Sequence, residues 1–138
     1  MSLSLQAQQW LDTTLYPFKN KFIPLETGQM HYVDEGEGDI ILFVHGTPAW
    51  SFLYREYIAV LSKKHRCIAI DHIGFGLSEK PEKFDGKPQS HSKNLTEFIE
   101  KLDLKEITLV VHDFGGPIGL SSAIQNNNRI KQVVMFNT

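Results

Sequence analysis

Four apolar runs of strand length, separated by stretches with helical spacing, constrain this chain more than any other feature. They are "IILFVH" (40–45), "CIAID" (67–71), "ITLVVH" (107–112) and "KQVVMFN" (131–137). A short run that is apolar almost throughout suits a strand covered on both faces of a parallel sheet. After the first run, "SFLYREYIAVLS" carries Leu53, Tyr57, Val60 and Leu61 at the spacing of one apolar helical stripe. After the second, "NLTEFIEKLDL" places Leu95, Phe98, Ile99 and Leu102 on one helical face, and after the third, "GGPIGLSSAIQ" reads as another helix. Upstream, "KFIPLETGQMHYVDEG" reads as two strands around the short turn Thr27-Gly28, followed by the acidic, Gly-rich connection "DEGEGD". Strands alternating with helices of about three turns predict an α/β fold, a mostly parallel sheet with helices on both faces. No internal repeat, linker or low-complexity segment interrupts it.

A chain of 138 residues with 41% hydrophobic residues can bury most of its unfolded surface as one globular domain. Fourteen basic residues are scattered against sixteen acidic ones, for a net charge of −2. No basic run is interleaved with aromatics, so neither nucleic acid nor an anionic membrane is an implied partner, and a small neutral substrate stays open. No stretch approaches the roughly 20 apolar residues needed to cross a bilayer. The start "MSLSLQAQQW" lacks the charged and apolar regions of a signal peptide, and its "MSL" is given no structural weight. The expected location is the cytoplasm. The single cysteine, Cys67, sits inside the apolar run "CIAI" and reads as a packed core thiol in a reducing compartment.

In a parallel sheet, ligands bind beyond the carboxyl ends of the strands. Three polar clusters converge there: "HGTP" after the first long strand, "DHIGFG" after the second and "HDFGG" after the third. The third places Asp113 where an apolar strand enters a helix through a tight turn, with Gly115 and Gly116 behind it. Such glycines remove bulk that would block the turn, so one side chain can be held strained and exposed at the apex. Serine is the more familiar apex residue and needs a neighbouring base. An aspartate is already ionised at neutral pH and can displace a leaving group from an alkyl carbon, leaving an ester on Asp113. On the local pattern alone, Asp113 as the N-cap of the following helix stands level with that reading. The "HGTP" turn tips the balance, because the Thr47 N–H and the Phe114 N–H can supply two donors for developing negative charge.

The other polar features read as structural. "GFG" (74–76) fails as a dinucleotide fingerprint, since Glu79 stands where a third glycine belongs and no helix opens on it. "DHIGFGLS" is expected to be a turn in which Asp71 bonds local backbone amides. None of the six histidines shows metal-type spacing with another His or Cys, so no metal and no cofactor is expected. His45, His72 and His112 at strand ends and His91 at a helix start read as structural histidines, and His31 and His65 carry no implied role.

"HGTPAWSFLYR", "DHIGFGLSEKP" and "LDLKEITLVVHDFGGPIGL" together resemble the haloalkane dehalogenase branch of the α/β-hydrolases, with the likeness running from about Phe22 to Thr138. HG-x-P alone is widespread in that superfamily. The aspartate in "HDFGG" narrows it to dehalogenase-like and epoxide hydrolase-like members, and "P-x-WSFLYR" favours dehalogenases. The resemblance implies Asp113 as the catalytic nucleophile, with the backbone N–H groups of Thr47 and Phe114 as oxyanion hole and substrate contacts. It also implies that Asn137 sits where one subgroup keeps its catalytic acid, a role that asparagine cannot fill. Two departures bear on the leaving group. Haloalkane dehalogenases usually have tryptophan after the nucleophile, its indole N–H holding the halide, where this chain has Phe114; many have Asn or Glu at the position of Thr47.

Chains of that family are about twice as long. Residues 1–138 are therefore expected to be the N-terminal part of a single α/β-hydrolase domain, with the cap domain, the catalytic acid and the catalytic histidine beyond Thr138. If the chain ends at Thr138, its last strand is expected to be an open apolar edge able to self-associate. The function expected of the full-length protein is hydrolysis through an Asp113 ester, on a halogenated alkane or, alternatively, an epoxide or ester; these residues alone are not expected to turn over. The competing class is a hydrolase-fold remnant that binds without catalysis, since fold does not fix function.

Overall fold

The computed structural model describes residues 10–138, so the reading of the first nine residues as no signal peptide lies outside the described part. The sheet has six strands: β1 (Lys21–Leu25), β2 (Gly28–Glu35), β3 (Ile40–Val44), β4 (Arg66–Ile70), β5 (Ile107–His112) and β6 (Ile130–Phe136), in the order β1-β2-β4-β3-β5-β6. The hairpin β1–β2 is antiparallel and joins β4 antiparallel, whereas β3, β4, β5 and β6 run parallel. Arg66 fixes the β2–β4 pairing with a two-pronged bond to Asp34, Nε to Oδ1 at 2.9 Å and Nη2 to Oδ2 at 2.8 Å.

Three α-helices cover the sheet: α1 (Arg55–Leu61), entered through a 3₁₀ turn at Ser51–Tyr54, α2 (Pro88–Lys101) and α3 (Gly115–Gln125). On one face α2 and α3 bury Leu95, Phe98, Ile99 and Ile118 against Leu42, Val44, Ile68, Ile70, Leu109 and Val111. On the other face Tyr54 and Ile58 pack with Phe43, Cys67, Ala69 and Val110. Alternate residues of β3, β4 and β5 thus enter opposite cores, which is why these strands are apolar throughout rather than alternating. Each fully buried Leu or Ile contributes on the order of 1.5–3 kcal/mol of transfer free energy. Cys67 is a core residue as expected, and burial pushes its thiol up to about 11. Among the described residues no helix is long and apolar enough to cross a membrane.

The structure corrects the expected stripe of α1. Ile58 is fully buried, Tyr54 and Ser51 face the core and Leu61 packs against it as expected, while Leu53, Tyr57 and Val60 are 41%, 54% and 65% exposed. A 3₁₀ turn leads into this helix, and its spacing of three residues shifts the phase of the buried face relative to an uninterrupted 3.6-residue pattern. The stripe of α2 is as expected, with Leu102 packed at its end.

Candidate active site

The three polar clusters do converge beyond the carboxyl ends of β3, β4 and β5. Asp113 follows β5 with φ +51°, a left-handed conformation unfavourable for a residue with a Cβ. It is not a helix cap: Phe114 occupies the N-cap of α3, and no side-chain bond caps that helix. The Asp113 carboxylate instead accepts the Thr47 N–H on Oδ2 at 3.0 Å. The amides of Phe114 and Thr47, in that order of influence, hold its carboxyl below the usual carboxylate range. Asp113 itself is half-exposed, and the Phe114 ring beside it is 52% exposed.

Glycines make the elbow possible by leaving space. A Cβ on Gly115 would strike the Val44 carbonyl, and one on Gly116 would strike the Thr138 side chain, so both do what the sequence led us to expect. Gly46 was not singled out from the sequence, yet a Cβ there would collide with the Asp113 carboxylate itself. The glycine of "HGTP" is therefore the floor on which the carboxylate lies.

Asp71 behaves differently. It is fully buried at the end of β4, and its Oδ1 accepts the Ser51 N–H at 2.7 Å while Oδ2 accepts the Leu77 N–H at 2.8 Å. The turn reading of "DHIGFGLS" holds, but the carboxylate has a third partner that the sequence did not announce: His31 Nδ1 at 2.9 Å from Oδ2. The expectation of no role for His31 is thus overturned, because the antiparallel addition of β2 to β4 brings two distant segments side by side. His31 Nε2 in turn meets Asn20 Oδ1 at 2.9 Å. Burial pushes the Asp71 carboxyl up, but the bonds from His31, Ser51 and Leu77 outweigh it and hold the group below its ordinary value.

His45, His72 and His91 lie in a row, with ring centroids 4.3 Å and 4.9 Å apart and the rings tilted by 57° and 55°. His45 Nε2 accepts the His72 N–H at 3.0 Å, so its Nδ1 donates, to the Gly46 carbonyl at 2.8 Å. His72 Nε2 donates to the His45 carbonyl at 2.9 Å. Nδ1 of His72 and of His91 has no partner among the described residues, an arrangement that suits neutral rings. Burial lowers the affinity of all three rings for a proton, and for His72 the neighbouring rings add to that effect. These are structural histidines, as the sequence suggested, and His45, through its bond to the Gly46 carbonyl, braces the turn that presents Thr47.

The model of the α/β hydrolase fold family matches residues 39–138, which spans β3 to β6 and all three polar clusters. The chain belongs to the α/β-hydrolases. This α/β-hydrolase is 42% identical over 127 residues to haloalkane dehalogenase 2 of Mycobacterium tuberculosis, covering 92% of this chain and 44% of that one. It is 44% identical over 128 residues to a cis-3-alkyl-4-alkyloxetan-2-one decarboxylase of Shewanella oneidensis, covering 91% of this chain and 40% of that one. Among solved structures it is similar to the haloalkane dehalogenase DatA of Agrobacterium tumefaciens, with a TM-score of 0.81 at 34% identity over 86% of this chain and 40% of that one. The chain thus spans less than half the length of these relatives.

Proposed function

We propose that Asp113 is the nucleophile of a hydrolase that displaces a leaving group from a saturated carbon and holds the product as an ester. The observation that carries this reading is the Thr47 N–H on Asp113 Oδ2 at 3.0 Å. With Oδ2 held, Oδ1 is the oxygen that attacks; the new C–O bond forms from its lone pair as the leaving group departs with the bonding electrons. Oδ2 then becomes the ester carbonyl oxygen, and when water adds, the negative charge develops on the oxygen that already accepts the Thr47 N–H, with the Phe114 amide beside the same carboxyl group. The depressed carboxyl keeps Asp113 ionised throughout the neutral range, so the first step needs no base. Release of the ester needs an activated water. His31, His45 and His72 are bonded into the protein framework, His91 is buried beside them, His112 lines a cavity with Phe43, Tyr54 and Val110, and His65 precedes β4 at the opposite edge of the sheet, so the ester is expected to accumulate on these residues taken alone.

The similarity to haloalkane dehalogenases supports a halide as leaving group. A second reading is favoured by Phe114, whose ring offers no N–H to a departing halide: the leaving group is the oxygen of a strained ring, whose opening supplies driving force that a halide would have to draw from hydrogen bonds. The similarity to the oxetanone decarboxylase points the same way. Intact-mass spectrometry after incubation with a bromoalkane and, separately, with an epoxide or a β-lactone tests both. A lasting gain of one substituent on the Asp113 peptide is expected. A folded protein that gains nothing from any of the three and releases no bromide would overturn the nucleophile.

A further inference from the structure

Asp113 is held from a third side that lies outside the three polar clusters. β6 ends at Phe136, and Asn137 follows with φ +43°, which turns the chain toward the elbow at the end of β5. The Thr138 hydroxyl then donates to the backbone carbonyl of Asp113 at 2.6 Å. The same carbonyl accepts the Gly116 N–H at 2.9 Å, so it is held both from within the elbow and from the neighbouring strand. The fit is mutual, because the Thr138 side chain fills the space that a Cβ at position 116 would need.

A left-handed conformation at a residue with a Cβ persists only where surrounding bonds over-determine it. At Asp113 those bonds set the direction of the side chain, because rotation about the Asp113 backbone swings the carboxylate away from the Thr47 amide. On the reading of Asp113 as nucleophile, we propose that Thr138 is a positioning residue whose hydroxyl clamps the Asp113 backbone carbonyl and thereby aims the carboxylate at the Thr47 and Phe114 amides. Thr138 touches no reacting atom. It acts on the reaction through the geometry of the elbow.

The experiment compares wild type with Thr138→Val, which removes the hydroxyl at nearly constant shape, and Thr138→Ser, which restores it. The Asp113 carboxyl is titrated by carbon-detected NMR, and the rate of alkylation by a bromoalkane is followed by intact mass across concentrations. In Thr138→Val the titration midpoint is expected to rise by about half a unit or more as the amide bonds loosen. The saturating alkylation rate is expected to fall on the order of tenfold with the half-saturating concentration unchanged. Thr138→Ser is expected to match wild type in both. A threonine that only steadies the end of β6 would move neither readout, so a Thr138→Val protein that titrates like wild type overturns the proposal. If the midpoint shifts while even wild type resists alkylation, the clamp stands and the nucleophile reading falls.

Discussion

Asp71 and Asp113 follow β4 and β5, the two strands that flank β3, and both point to the same edge of the sheet. Asp71 is buried, with Ser51 on one oxygen and His31 and Leu77 on the other. Asp113 is half-exposed on a left-handed backbone, with Thr47 on Oδ2. Both carboxyls are held below their ordinary range, so charge alone does not tell them apart. What separates them is how their oxygens are used. Asp71 has committed both to binding distant segments together, including His31 forty positions earlier in the chain. Asp113 is bound to the framework less tightly, with one side-chain bond from a neighbouring turn and partial exposure to solvent. On the proposed reading, that is what leaves its carboxylate free to react.

Substitution of each aspartate gives the sharpest test of this contrast. Asp113→Asn is expected to lower the alkylation rate on the order of a thousandfold or more by mass spectrometry. Its unfolding free energy is expected to stay within about 0.5 kcal/mol, because asparagine tolerates the left-handed conformation. Asp71→Ala is expected to lose roughly 3–5 kcal/mol in urea unfolding, since His31 and two buried amides lose their partner. The contrast breaks if the two variants lose stability equally.

Gly46→Ala is expected to be intermediate in both respects. Its methyl group meets the Asp113 carboxylate, so alkylation should slow on the order of a hundredfold. Stability should fall by about 1–3 kcal/mol as the turn makes room. A Gly46→Ala protein alkylated at the wild-type rate would show that the carboxylate does not rest on the "HGTP" turn during the reaction.

Acidification separates the two aspartates by environment. His45, His72 and His91 bind protons less readily when folded than when unfolded, so between their folded values and about 6.5 the unfolded chain holds more protons and stability falls as pH falls. Each contributes a slope of up to about 1.4 kcal/mol per pH unit within that window. Asp71 adds a further loss only when pH drops below about 3.9 and then through its depressed folded value, where its bonds to His31 are protonated away. Denaturant midpoints are therefore expected to decline from pH 7 to pH 5. Over that range the alkylation rate of the folded fraction should stay flat, because Asp113 titrates below its ordinary value of 3.8. A rate that follows the stability curve would tie the alkylation of Asp113 to the three histidines.

Much of the fold was legible because burial on both faces leaves a continuous apolar run, as in "IILFV" and "ITLVV", and a helix between such runs has few places to go. The hairpin, whose turn is Glu26-Thr27 rather than the expected Thr27-Gly28, the face of α2 and the span of α3 came from the same local signals. The phase of α1 was not legible. Leu53, Tyr57 and Val60 form a convincing apolar stripe, but the 3₁₀ entry turns that stripe outward and Ile58 inward.

The candidate site divides along the same line. A carboxylate between an apolar strand and two glycines is a local pattern, and sequence determined both that Asp113 stands at an elbow and that "HGTP" belongs beside it. The tertiary structure decided which contacts complete that elbow: Gly46 beneath the carboxylate, Thr138 on its backbone carbonyl, and His31 on the other aspartate. The reason is physical. Strand and turn preferences act between near neighbours, whereas these contacts join residues 67, 25 and 40 positions apart. Their existence depends on strand order and register, which no single stretch of the chain encodes.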